Sequence, residues 1–309
     1  METRKIGQLD VSVIGVGCNN FGKSLDAAAT AGVIEAALDS GINFLDTADR
    51  YGGTLSEVYL GAAIGRHRDR VVLATKFGLP LAAGASEGAS PAYVRTACEA
   101  SLKRLNTDFI DLYQLHRPDP STPIADTLGA LGDLVREGKV REIGCSNFTA
   151  AQLAEAEAAV VHGAPRFVSM QDEYSLLERG AEAELLPECA RNGVAFVPYY
   201  PLASGLLTGK YRMGAEPPAN ARFGPQGFTR GKFTEENLAR AEALAAAAAE
   251  LSLTLLQLAF SWLLSHREVA SVIAGAMSPQ QVRSNAAAYI RTLSPAEMAK
   301  VDAIGSMAT

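Results

Sequence analysis

The sequence predicts an α/β protein folded as a (β/α)8 TIM barrel, with one domain spanning residues 1–309, a short N-terminal hairpin, and a long loop before the last strand. Three observations carry this. Eight short β-branched runs recur along the chain, stretches rich in Ala, Leu and Glu separate them, and no Pro/Ser-rich linker or shift in composition divides it. Strand followed by helix, eight times over, implies parallel strands joined by crossover helices. At this length the repeat fits one closed barrel better than two doubly wound domains.

The elements follow in order. "METRKIGQLDVS" holds a Gly-Gln turn between short alternating segments and reads as a hairpin sealing the barrel bottom. The strand runs are "VSVIGVG" from Val11, "GINFLD" from Gly41, "RVVLATKF" from Arg70 and "FIDLYQLH" from Phe109. The second half adds "VREIGCSN" from Val140, "RFVSMQ" from Arg166, "VAFVPYY" from Val194 and "VASVIAG" from Val269. Helical patterns close on glycines, as "TAGVIEAALDSG" does at Gly41 and "TLGALGDLVREGK" at Gly138. The stretch from Tyr211 to Phe233 is Pro, Gly and Arg rich, and a loop of that length reads as a lid or binding loop.

Composition narrows the function. The 309 residues are 48% hydrophobic and 20% charged, with 28 basic against 34 acidic side chains and a net charge of −6. That balance argues against nucleic acid and anionic membrane as partners and leaves a small molecule. The polar N-terminus is unlike a signal peptide, and "LSLTLLQLAFSWLLSH" from Leu251 is broken by polar residues, so it reads as a buried helix. Four scattered cysteines and four histidines lack metal-ligand spacing, which points to a reduced cytoplasm and no structural metal.

"GVGCNNFG" from Gly15 imitates a dinucleotide-binding glycine fingerprint. Its third glycine is late and the next strand-end acid, Asp46, is too distant, so it reads as the turn closing the first barrel strand.

In a barrel of this kind, chemistry belongs at the C-terminal ends of the strands. Asp46, Lys76, His116, Ser146, Asn147, Gln171 and Tyr199 fall there, and Tyr51 follows in "NFLDTADRYGG". Taken singly each has a bland explanation. Asp46 would be a helix cap, Lys76 a solvated rim charge, His116 a partner for loop carbonyls and Tyr51 an aromatic lid. Together Asp46, Tyr51, Lys76 and His116 form an acid/base set in which a lysine cation lowers the tyrosine pKa and the histidine orients a carbonyl oxygen.

These residues also carry a resemblance. "LDTADRYGGTLSEVYLG", "ATKFG", "DLYQLHRPDP", "IGCSNF", "MQDEYSLLER", "VPYYPLASGLLTGKY" and "VIAGAMSPQQVRSN" resemble the aldo-keto reductase superfamily across nearly the whole chain and in the family's order. The resemblance implies carbonyl reduction with NADP(H) more than NAD(H), bound without a Rossmann fold, and a catalytic tetrad of Asp46, Tyr51, Lys76 and His116. It implies that Ser146, Asn147 and Gln171 hold the nicotinamide carboxamide, that Tyr199 faces its ring, and that Gly17, Cys18, Asn19 and Gly275 lie alongside. Tyr200, Pro201, Leu202, Ser204 and Lys210 would serve the pyrophosphate, with Arg222 as a clasp. Ser278, Gln281, Arg283 and Asn285 would take the adenosine end, where Ser278-Pro279 also reads as a helix cap and first-turn proline. Two departures stand out. Met277 occupies a position where relatives carry a cation for the 2′-phosphate, which leaves Arg283 to compensate, and Asp172 replaces an amide. Alternatives within the family are an oxidative sugar or alcohol dehydrogenase and a cofactor-binding, redox-sensing regulatory subunit.

Overall fold

The computed structural model describes residues 1–81, 88–216 and 232–305. Strands β1 (Thr3–Ile6) and β2 (Leu9–Ser12) pair antiparallel around Gly7 and Gln8. Gly7 has φ +56°, and a Cβ there would meet the Glu142 carboxylate, which accepts from the Gln8 amide at 2.7 Å. The turn therefore needs glycine twice over, for its backbone and for its close approach.

Eight parallel strands follow: β3 (Ile14–Gly17), β4 (Phe44–Asp46), β5 (Val72–Phe77), β6 (Ile110–Leu115), β7 (Val140–Ser146), β8 (Phe167–Glu173), β9 (Ala195–Tyr199) and β10 (Val272–Gly275). Their order is β10-β3-β4-β5-β6-β7-β8-β9. Phe196 of β9 pairs in parallel with Val269, just before β10, and its amide donates to the Glu268 carbonyl at 2.7 Å, which closes the ring. The expected run from Val11 is divided, since Val11 and Ser12 belong to the hairpin. The Ser12 hydroxyl donates to the Ile14 carbonyl and accepts from the Asn43 amide, so the chain turns there before entering the barrel.

Two cores result from the period-two alternation of the strands. Inside the barrel Phe44, Val72, Ala74, Leu112, Val197 and Ile273 pack on Ile6, Leu9 and Val11 of the hairpin, which plugs the bottom. The outward set, including Leu45, Leu73, Tyr113 and Phe196, packs under the helices. Each fully buried large apolar side chain contributes roughly 1.5–3 kcal/mol. This lower plug leaves the upper interior free for polar residues.

The connection from β9 to β10 carries a 3-10 turn, Ala203–Thr208, and helices Glu235–Glu250 and Leu255–Ser265. The second of these starts at a Thr254/Gln257 capping box and buries Leu258 to Leu264. No single described helix is long and apolar enough to cross a membrane. Most of the expected lid loop, including Arg222, lies outside the described residues.

Candidate active site

The alternation that aims Phe44, Ala74 and Leu112 into the plug aims Asp46, Lys76 and Gln114 into the barrel two residues later, at its C-terminal end. There the Lys76 ammonium, wholly buried, donates to Asp46 Oδ2 at 2.6 Å and to the Thr47 carbonyl at 2.9 Å. Asp46 Oδ1 accepts from Gln114 Nε2 at 3.2 Å and Gln171 Nε2 at 3.0 Å. Burying two charges is costly unless such bonds satisfy them. Burial alone would lower the Lys76 pKa, but Asp46 and Tyr51 more than offset it and hold the ammonium above its usual range.

Tyr51 opens a 3-10 turn, Tyr51–Thr54. Its amide donates to the Ala48 carbonyl at 3.1 Å, and the Asp49 amide to the Lys76 carbonyl at 3.0 Å, so the turn is anchored on β5. Gly52 has φ +59°, and a Cβ there would collide with the Phe21 carbonyl. The close approach required by "YGG" is thus to the loop after β3. It leaves the Tyr51 ring half-buried above the ion pair, its centre 5.3 Å from Lys76 Nζ.

The expected lowering of the Tyr51 pKa is not the net result. Burial of the hydroxyl raises it by more than Lys76 lowers it, and Asp46 and Tyr200 add to the rise. The phenol is therefore protonated near neutrality. His116 follows β6 with its ring 5.9 Å from that of Tyr51, nearly perpendicular. Burial first, then the cations Lys76, Arg50 and Arg117, push its pKa well down, so the imidazole is neutral. Its Nδ1 is buried with no partner among the described residues.

Above these groups is a cavity of ≈ 270 Å³. Of the residues singled out in the sequence, it is lined by Tyr51, His116, Asp46, Gly17, Cys18, Asn19, Ser146, Asn147, Gln171, Tyr199, Tyr200, Pro201 and Gly275. Lys76 lies beneath. Ser146 Oγ donates to the Gln171 carbonyl at 2.9 Å, Asn147 Nδ2 donates to Ser146 Oγ and to the His116 carbonyl, and the Tyr199 hydroxyl donates to Asn147 Oδ1 at 2.9 Å. Cys18 contributes wall only, since burial drives its thiol pKa well up.

Leu202, Ser204 and Lys210 do not line this cavity. They continue from its edge through backbone that is left-handed at Tyr200, Ala203, Ser204 and Gly205. Non-glycine residues held so cost roughly 1–3 kcal/mol each and cluster at functional sites. Ser278, Gln281, Arg283 and Asn285 also stand apart, the last three on helix Pro279–Ala286. Ser278 caps that helix as expected. The Gln281 side chain reaches the Met277 amide at 2.8 Å instead of the cap residue's own. Arg283 is exposed and Asn285 buried. Asp172 does not line the cavity.

The sequence profile of the aldo/keto reductase family matches residues 13–306. The chain belongs to that family. An aldo-keto reductase from Bacillus halodurans, solved in its holo form, superposes with a TM-score of 0.81 at 32% identity, over 98% of this chain and 96% of that one. A protein of Arabidopsis thaliana described as a probable voltage-gated potassium channel subunit beta is 33% identical over 321 residues, covering 98% of this chain and 96% of the relative.

Four further residues, Arg50, Leu79, Arg117 and Ile273, line the cavity. Gln114 also escapes motif reading. Its signal is its place on β6, two residues from both Leu112 and His116 on the inward face.

Proposed function

We propose that the protein reduces an aldehyde or ketone to the alcohol with NADP(H), reversibly, with Tyr51 as general acid in reduction and general base in oxidation. The observation that carries this reading is the buried Asp46–Lys76 ion pair set beneath Tyr51, with neutral His116 beside it at one cavity. Bound nicotinamide supplies the hydride. Tyr51, kept protonated by burial, donates its proton to the substrate oxygen as negative charge develops there. Lys76 stabilises the phenolate left behind, and Asp46 holds Lys76 charged and in place. With Nδ1 enclosed, the His116 tautomer protonated at Nε2 donates to the same oxygen.

The residues present fit the cofactor. Ser146, Asn147 and Gln171 offer donors and acceptors for a carboxamide, and the Tyr199 side chain borders the same wall. The turn that is left-handed at Tyr200, Ala203, Ser204 and Gly205, with Lys210 Nζ 3.8 Å from where a Gly205 Cβ would stand, suits an anion such as the pyrophosphate. Arg283, exposed on helix Pro279–Ala286, takes the 2′-phosphate in this reading. A screen of aldehydes, ketones, sugars and alcohols with NADPH, NADH and their oxidised forms tests it. Steady turnover of a carbonyl with NADPH is expected, and consumption of none of them would overturn it.

The Arabidopsis relative, described as a channel subunit beta, lends support to a second reading, a cofactor-binding regulatory subunit, for which redox sensing is the activity to test. Many turnovers per protein chain mark the enzyme, whereas a single slow cofactor oxidation by a stable oligomer marks the sensor.

A further inference from the structure

Two guanidinium groups at the cavity have no part in the chemistry above. Arg50 immediately precedes Tyr51 and Arg117 immediately follows His116, so they flank the proton donor and the hydrogen-bond donor from two different loops. Both line the same cavity, both are exposed, and both lie close enough to His116 to disfavour its charged form. Among the described residues neither has an ion-pair partner, in contrast to Arg68, Arg104, Arg141 and Arg179, which are all held by carboxylates. The one carboxylate lining the cavity among the described residues is Asp46, and Lys76 neutralises it. Two uncompensated positive charges therefore face the cavity of a chain whose net charge is −6.

Topology separates this pair from the cofactor's own anionic groups. Arg50 follows β4 and Arg117 follows β6, on either side of β5. The turn that suits a pyrophosphate follows β9, four strands from β5 in a ring of eight and so directly across it.

Taking the carbonyl-reductase reading as its basis, we propose that Arg50 and Arg117 select a substrate bearing a carboxylate or phosphate group close to its carbonyl. Each guanidinium presents a planar fork of donors matched to such oxyanions, and the pair raises the local concentration of anionic substrate at the mouth. A neutral carbonyl compound gains nothing from either residue.

The test compares kcat/KM within matched pairs under NADPH: 4-carboxybenzaldehyde against its methyl ester, and glyceraldehyde 3-phosphate against glyceraldehyde. The expected result is a preference for the anionic member of roughly tenfold or more, as expected for a charge-assisted contact. The pair with the larger ratio identifies carboxylate or phosphate. The ratio should shrink as salt is raised. It should fall several-fold in Arg50→Gln and in Arg117→Gln, and approach one in the double variant. Effects on His116 act on both members of a pair alike, so the ratio isolates recognition of the anion. Thermal unfolding and NADPH binding establish that the variants are folded. A wild-type ratio near one, or a ratio that survives in the double variant, overturns the inference while reduction of the ester leaves the carbonyl-reductase reading standing. If none of the four aldehydes is reduced, both fall.

Discussion

The Lys76 ammonium donates a 2.6 Å hydrogen bond to Asp46 Oδ2 at a depth where neither residue is exposed beyond a few per cent. Because each charge is tolerated only through the other, the pair ties the barrel's stability to its chemistry.

Lys76→Met should leave Asp46 as an uncompensated buried charge and destabilise the fold by about 3–5 kcal/mol in denaturant unfolding. The double variant Asp46→Asn/Lys76→Met should recover most of that loss without recovering activity. Whatever oxidation persists in Lys76→Met should need a higher pH, because the cation that favours the Tyr51 phenolate is gone. Equal destabilisation in the single and double variants would contradict the pairing.

Asp49, two residues before Tyr51, gives a pH-dependent prediction. Burial first, then Glu57, raise its pKa from 3.8 to about 7 against the pull of Arg104 and Arg50, and its Oδ1 has no partner among the described residues. A folded pKa above the unfolded one means stability that is fully present below about pH 4 and lost as pH rises through about 7. Asp49→Asn removes the ionisation, so variant and wild type should match at pH 4 and diverge by a few kcal/mol in the variant's favour by pH 8. Parallel stability curves across that range would remove Asp49 from this role.

Arg283→Ala should weaken NADPH binding by roughly tenfold or more while changing NADH little, since only the former carries a 2′-phosphate. Fluorescence titration with the two reduced cofactors measures it. Equal weakening would send the 2′-phosphate elsewhere.

The barrel was legible because its strands are short β-branched runs and its helices are capped by recognisable residues. Asp46 and Lys76 could be placed at strand ends from sequence, and Tyr51 in a glycine turn. The first strand's start was not, because Ser12 turns the chain through hydrogen bonds to Ile14 and Asn43 that no local pattern records. The direction of the Tyr51 pKa was likewise hidden. The contribution of Lys76 follows from adjacency, but the larger effect of burial depends on how the turn seats against the loop after β3 at Phe21. Arg50 and Arg117 sit beside functional residues in sequence, yet a rim charge faces a cavity only once its loop has a conformation.

Replacement of Tyr51 by Phe measures the central claim most directly. The ring, its contact with His116 and the turn all remain, and only the proton is lost. The variant should fold and bind NADPH as the wild type does, while single-turnover reduction of an aldehyde slows by roughly 10² to 10⁴. Reduction at close to the wild-type rate, in protein shown free of contaminating reductase, would contradict Tyr51 as the proton donor.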